Sequence, residues 1–335
     1  MDRNKNETKG AAMKVFVAGA TGAIGRSLLP QLAAAGHEVV GMTRSAAKGD
    51  LVRSLGARPV VADALDPDQV AEAVAGAEPE VIVHELTALS GTMSLREARH
   101  PERSALFVMT GRLRTEGTDH LLAAGRAVGA RRFVAQSFAA FRFATTDRTV
   151  LSEADPLDLD APIVQPGLEA LARLERAVTG IDWGDGIVLR YGGFYGPGTA
   201  ISRAPEAPMA GPIRKRRLPI IGGGGGVVSH VHVDDAAAAT VLAVERGGHG
   251  VYNVVDDEPA PVREWLPVLA DALGAKPPRR IPGWVGRLAA GEAATAMMTQ
   301  AKGSSNVRAK RELGWRLRYP SWRQGFSEGL GAANG

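Results

Sequence analysis

One stretch near the amino end constrains this chain more than any other. The apolar run Val15 to Ala18 is followed by Gly19, Gly22 and Gly25 at G-x-x-G-x-x-G spacing, and a helical pattern runs from Arg26 to Ala35. A short, wholly apolar segment fits a buried parallel strand. The three glycines then play different parts. Gly19 permits the tight exit from the strand, Gly22 leaves room for a pyrophosphate, and Gly25 lets helix and strand pack closely. Unclaimed N–H groups and the dipole at a helix start favour an anion there. Thr21, Ala23 and Ile24 complete the turn as candidate cofactor-binding residues. The plain alternative, a glycine-rich turn in some other α/β protein, is set back by the strand–turn–helix context.

Composition narrows the remaining choices. With 335 residues, 45% of them apolar, the chain can bury one large core or two smaller ones. It has no cysteine, which excludes disulfides and thiolate chemistry and suits the cytoplasm. The seven histidines are scattered without metal-ligand spacing, so no metal site is expected. A net charge of +4, with one basic cluster at Arg214-Lys215-Arg216-Arg217, gives no case for a nucleic-acid partner. No run approaches the ~18 apolar residues of a membrane span. Residues 1–12 are polar and read as a disordered leader.

Strand and helix patterns alternate through the first half, predicting a doubly wound parallel sheet of the Rossmann type. Strands are expected at 38–43, 57–62, 81–84, 132–136, 187–191 and 251–255. Helices are expected at 69–75, 168–178, 236–244, 264–273 and 284–300, with a long stretch at 103–128 interrupted by Gly111 and Gly117. Asp234 and Asp235 are expected to cap the 236–244 helix, and the five glycines 222–226 to form a mobile loop. The dinucleotide-binding domain is placed at 13–190, with 230–255 returning to it. A smaller α/β substrate domain is placed at 191–229 and 256–335.

The motifs GATGAIG (19–25), RFVAQS (132–137), LRYGGFYGPGT (189–199), HVHVDDAA (230–237), YNVVDDEP (252–259) and ELGW (312–315), with Asp63 after the third strand, resemble those of the extended short-chain dehydrogenase/reductase superfamily, in its atypical epimerase/dehydratase-like branch. The resemblance runs from about residue 13 to the carboxyl end. It implies a nicotinamide dinucleotide in the amino-terminal half. It also implies that Asp63 holds the adenine amino group beside Ala64 and Leu65, that Leu86 and Thr87 run along the ribose, and that two copies pair through 103–128 and 165–179 as a homodimer. A turn residue before Asp66-Pro67 is the structural alternative for Asp63.

The second strand ends without the acid that usually meets an NAD ribose, and Arg44 stands there with Lys48 nearby. A guanidinium in that place fits the 2′-phosphate of NADP as a forked donor, so NADP is expected over NAD.

The family's catalytic pattern is a Ser or Thr after the fifth strand and a Tyr-x-x-x-Lys on the next helix. Here Gly167 and Leu171 occupy the Tyr and Lys positions, no tyrosine precedes Tyr191, and no lysine lies between Lys48 and Lys215. Ser137 is the candidate to hold a substrate oxygen, though a register one residue later puts Phe138 there. Tyr191 and Tyr195 are candidate proton donors, and His84, Glu85 and Glu169 are further titratable groups near the sheet's ligand edge. Val228 stands where nucleotide-sugar enzymes of the family often carry an arginine, against such a substrate. The expectation is an NADP(H)-binding oxidoreductase of a small organic molecule with a non-standard proton donor. The alternatives are a non-redox isomerase, cyclase or dehydratase, and a non-catalytic NADP-binding sensor.

Overall fold

A computed structural model describes residues 11–89, 104–139, 147–159 and 165–332. Most of the expected leader, residues 1–10, lies outside them. Seven strands form the central sheet: β1 (Lys14–Ala18), β2 (Glu38–Thr43), β3 (Arg58–Val61), β4 (Val81–His84), β5 (Arg132–Phe138), β6 (Asp185–Tyr191) and β7 (Gly250–Val254). Their order is β7-β6-β5-β4-β1-β2-β3, and every pairing is parallel. The helices that frame the site are α1 (Ala23–Ala35), α2 (Pro67–Ala75), α3 (Ala105–Ala127), α4 (Gln165–Thr179), α5 (Val233–Arg246), α6 (Val262–Ala272) and α7 (Trp322–Glu328). The chain reverses its direction of strand addition between β1 and β4, and that reversal leaves a crevice at the carboxyl ends of both.

The period of two along β1 explains the two-sided core. Val15 and Val17 pack with Leu28, Leu29 and Leu32 of α1 and the alanines of α5. Phe16 and Ala18 point the other way, into the layer of α2 and α3 with Val70, Val74 and Leu121. A third cluster lies beyond the sheet, where Trp265, Leu266 and Leu269 of α6 meet Trp322 and Phe326 of α7 around Tyr195.

The Rossmann-type sheet matches the expectation, with edges displaced by a residue or two. Three local readings need correction. The helix over 105–127 runs unbroken through Gly111 and Gly117; its buried face, Leu113, Leu121 and Ala124, overrides the roughly 1 kcal/mol each glycine costs in a helix. The aspartates do not cap α5. The helix starts at Val233, and His232 is its cap, accepting from Asp234 N. Asp235 instead accepts from the backbone N–H groups of Arg318 and Tyr319 and so ties down the carboxyl-terminal segment. The 222–226 glycines form a packed connection: Gly226 N donates to Met298 O, and Gly226 O accepts from Val262 N. Among the described residues no helix is long and apolar enough to cross a membrane.

Candidate functional site

The crevice opens into a cavity of about 1370 Å³. Single-ligand pockets run from roughly 300 to 1,000 Å³, so this one has room for a cofactor and a second molecule. Its floor is the glycine turn. Gly19 has φ +98°, and a Cβ there would lie 2.6 Å from the Glu85 carbonyl oxygen, so both backbone conformation and space demand glycine. A Cβ on Gly25 would lie 2.5 Å from Gly19 O, which is how closely α1 sits against the turn. Gly22 caps α1 without a side-chain hydrogen bond, leaving the first-turn N–H groups to the cavity.

Gly19, Thr21, Gly22, Ala23, Ile24, Arg44, Leu86 and Thr87 all line the cavity. Gly25 lies beneath the wall as a packing residue. Asp63, Ala64 and Leu65 are not part of the wall: the Asp63 carboxylate accepts from Leu65 N, closing its own turn, and Ala64 O accepts from His120. Arg44 and Lys48 are exposed at the cavity rim, and neither is in an ion pair among the described residues. The donor set therefore fits a dinucleotide: a helix N-terminus bared by glycines for the diphosphate, and two unengaged cations where the adenosine ribose would lie.

The three hydroxyls expected at the reacting end are not presented to the cavity. Ser137 is fully buried, and its Oγ donates to Glu175 Oε1 at 2.6 Å. Its neighbours Gln136 and Phe138 line the cavity instead, because alternate residues of a strand face opposite ways. Glu175 is in turn clamped by Arg190, with both guanidinium contacts at 2.6–2.8 Å. Tyr195 is buried among His232 and Phe326, and burial raises its pKa well beyond that of an ordinary phenol. Tyr191 is equally buried and hydrogen-bonds inward, to Glu85 and Thr240. His84 is a core histidine: burial lowers its pKa to about 4, so it is neutral.

Of the further titratable candidates, Glu85 and the exposed Glu169 both line the cavity, and Glu85 is the buried one. It follows β4 directly, lines the cavity and is 3% exposed. Tyr191 Oη lies 3.0 Å from its Oε1, while Oε2 has no hydrogen-bond partner among the described residues. Tyr191 Oη donates to Oε1 and lies 2.6 Å from Thr240 Oγ1. Burial pushes the Glu85 pKa to about 8. Glu85 is thus a carboxylic acid at neutral pH. In the sequence it stands out only as an acid where apolar residues are usual; the signal that could rank it higher is a polar residue ending an otherwise apolar strand.

Comparison with known proteins agrees with this architecture. A family model described as NAD(P)H-binding matches residues 19–195. The chain is 47% identical, over 94% of its length and 99% of the other, to a 3-diazoavenalumate denitrifying reductase of a Streptomyces species. It is 29% identical, over 79% of its length and 74% of the other, to a 4-hydroxy-2-methyl-3-oxo-4-farnesyl-3,4-dihydroquinoline-1-oxide ketoreductase of Stigmatella aurantiaca. Among solved structures, UDP-glucose 4-epimerase of Thermus thermophilus in complex with NAD superposes with a TM-score of 0.71 at 24% identity, covering 95% of this chain and 98% of that one. The chain belongs to the NAD(P)H-binding family, and it shares its fold with the epimerase.

Proposed function

We propose that this protein is an NADPH-dependent reductase that acts on a small organic electrophile and draws the accompanying proton through Glu85 rather than through a tyrosine. The observation that carries the reading is the exchange at the cavity wall: Ser137, Tyr191 and Tyr195 are engaged or buried elsewhere, and Glu85, a buried carboxyl whose Oε2 has no partner among the described residues, belongs to the wall in their stead. The bound cofactor supplies hydride. The chain's own part is to hold the reacting molecule, exclude water and deliver one proton. When Oε2 gives up its proton, Tyr191 donates to Oε1 and steadies the carboxylate that forms.

The relative named as a diazo-compound denitrifying reductase points to a substrate class that suits this wall. Reduction of a diazo carbon takes one hydride and one proton, breaks the C–N bond and releases dinitrogen, while the nicotinamide is oxidised. No alkoxide develops, so the absence of a Tyr–Lys pair is no handicap. NADP is favoured over NAD by Arg44 and Lys48, which have no ion pair among the described residues. The reading includes a homodimer through α3 and α4, checked by sedimentation.

The test is single-turnover loss of the reduced-nicotinamide absorbance with NADPH and with NADH, against a panel of aryl diazo compounds and ketones. Dinitrogen release in step with NADPH oxidation supports the reading. Conversion of substrate with no nicotinamide present sinks it and selects a non-redox catalyst; tighter binding of NADH than NADPH defeats the cofactor assignment.

A further inference from the structure

The cavity contains a second unusual group, on α3, whose amino-terminal half lines it. Arg114 of α3 lines the cavity and is only 9% exposed. Nearby arginines have carboxylate partners: Arg112 pairs with Glu116 at 2.7 Å and Arg173 with Asp119 at 2.5 Å. Arg114 has none among the described residues, neither an ion pair nor a hydrogen bond from its guanidinium. A cation withdrawn from water without a counter-charge is costly, and buried charges are ordinarily paired. Burial lowers its pKa only to about 10, so it stays charged at neutral pH.

Its position is fixed from below. Leu86 N donates to His84 Nδ1 at 3.2 Å, which puts the ring proton on Nε2. Nε2 then donates to Thr118 Oγ1 at 3.0 Å, and that hydroxyl donates to Arg114 O at 2.8 Å. A neutral histidine thus holds the turn of helix from which the guanidinium projects. The same cavity is lined by Leu89, Phe107, Phe138, Leu168 and Met209, which give it apolar wall beside its charged residues.

We infer that Arg114 receives the anionic end of the second ligand, and that this ligand is a small carboxylic acid with an apolar, aromatic-sized body. A planar guanidinium matches a carboxylate in forked geometry, and the apolar walls match the remainder of such a molecule. The inference deepens the reductase reading by naming a substrate class. A phosphate of the cofactor offers related anion chemistry, and the two sources separate by experiment.

Cinnamate and cinnamamide, alike in shape but not in charge, are titrated calorimetrically into the cofactor-free and the NADPH-saturated protein. Wild type should bind cinnamate at least tenfold more tightly than cinnamamide in both states. Arg114→Met should abolish that preference and leave the NADPH dissociation constant unchanged within twofold. Arg114→Lys should retain only part of the preference, because it keeps charge but not the fork. Since Arg114 has no partner to lose among the described residues, Arg114→Met should match or exceed the wild-type melting temperature. Equal binding of the two probes, no binding of cinnamate, or a melting temperature lowered by more than 5 °C overturns the assignment. A tenfold loss of NADPH affinity in Arg114→Met also overturns it and gives the arginine to the cofactor. A wild type that binds no nicotinamide yet still prefers cinnamate would sink the reductase reading alone.

Discussion

The two ends of the cavity are built on opposite principles. At the glycine turn the polar groups are open to the cavity: α1 starts without a side-chain cap, and Arg44 and Lys48 stand at the rim with no ion pair among the described residues. At the reacting end nearly every polar group is engaged inward, Ser137 with Glu175 and Arg190, and Tyr191 with Glu85 and Thr240. The first end is a receptor for something yet to arrive. The second is largely a structural core, within which two groups, Glu85 and Arg114, retain unmet chemistry. A scaffold can therefore keep its cofactor site while the side chains opposite are turned to holding the sheet together.

The largest effect should come from breaking the inward network. Glu175→Ala leaves Arg190 buried and uncompensated, and should lower unfolding free energy by about 3–5 kcal/mol, read by denaturant titration. A loss under about 1 kcal/mol would mean that this end is not structural. Glu85→Gln should lower kcat by about 100-fold or more while leaving NADPH affinity unchanged, the usual weight of a positioned general acid. Wild-type kcat should also fall as pH rises through about 8, where the acid loses its proton; the glutamine variant should lack that limb. Tyr191 of β6, which contacts Glu85, is titratable, and Gly19 of the turn is not.

The sign for stability follows from the same proton. The folded pKa lies above the unfolded one, so between about pH 4.5 and 8 the native state binds more protons than the unfolded state. Stability contributed by this group is complete below the unfolded pKa and is lost as pH rises toward 8. Melting temperature should fall across that window more steeply in wild type than in Glu85→Gln. Arg44→Ala comes next, with NADPH affinity reduced about tenfold and NADH affinity little changed, as expected for one exposed cation meeting a phosphate. The smallest change belongs to Ser137→Ala: about 1 kcal/mol of stability for one hydrogen bond and no change in kcat. A hundredfold fall in kcat there would return Ser137 to the reacting end.

How much of this is legible in the sequence follows the same division. The glycine turn and the strands are readable because a local pattern, apolar run and punctuating glycine, specifies them directly. β2 and β4 fall at the expected bounds. The helix over 105–127 reads as interrupted because propensity registers Gly111 and Gly117 but not the packing that carries the helix through them. Ser137, Tyr191 and Tyr195 are candidates by their chemistry, but chemistry does not show which way a strand turns its residues. Ser137 lies between two cavity residues and faces away from both. Nothing in the sequence marks Arg114, because its distinction is the want of a partner among the described residues, a property of three-dimensional surroundings. Asp235 looks like a helix cap from its place beside α5, whereas its partners are more than eighty positions later.

The tight seat of Gly19 against the Glu85 backbone has a thermodynamic corollary. Glu85 N donates to Ala18 O at 2.8 Å, and the Gly19 Cα leaves no clearance before the Glu85 carbonyl. Whatever settles on the loop must then alter the surroundings of the acid, and the acid's charge must alter the loop's hold in equal measure. Nucleotide uptake should accordingly be accompanied by a net exchange of protons with the buffer, visible as a calorimetric heat that depends on the buffer's own ionisation enthalpy and vanishes in Glu85→Gln.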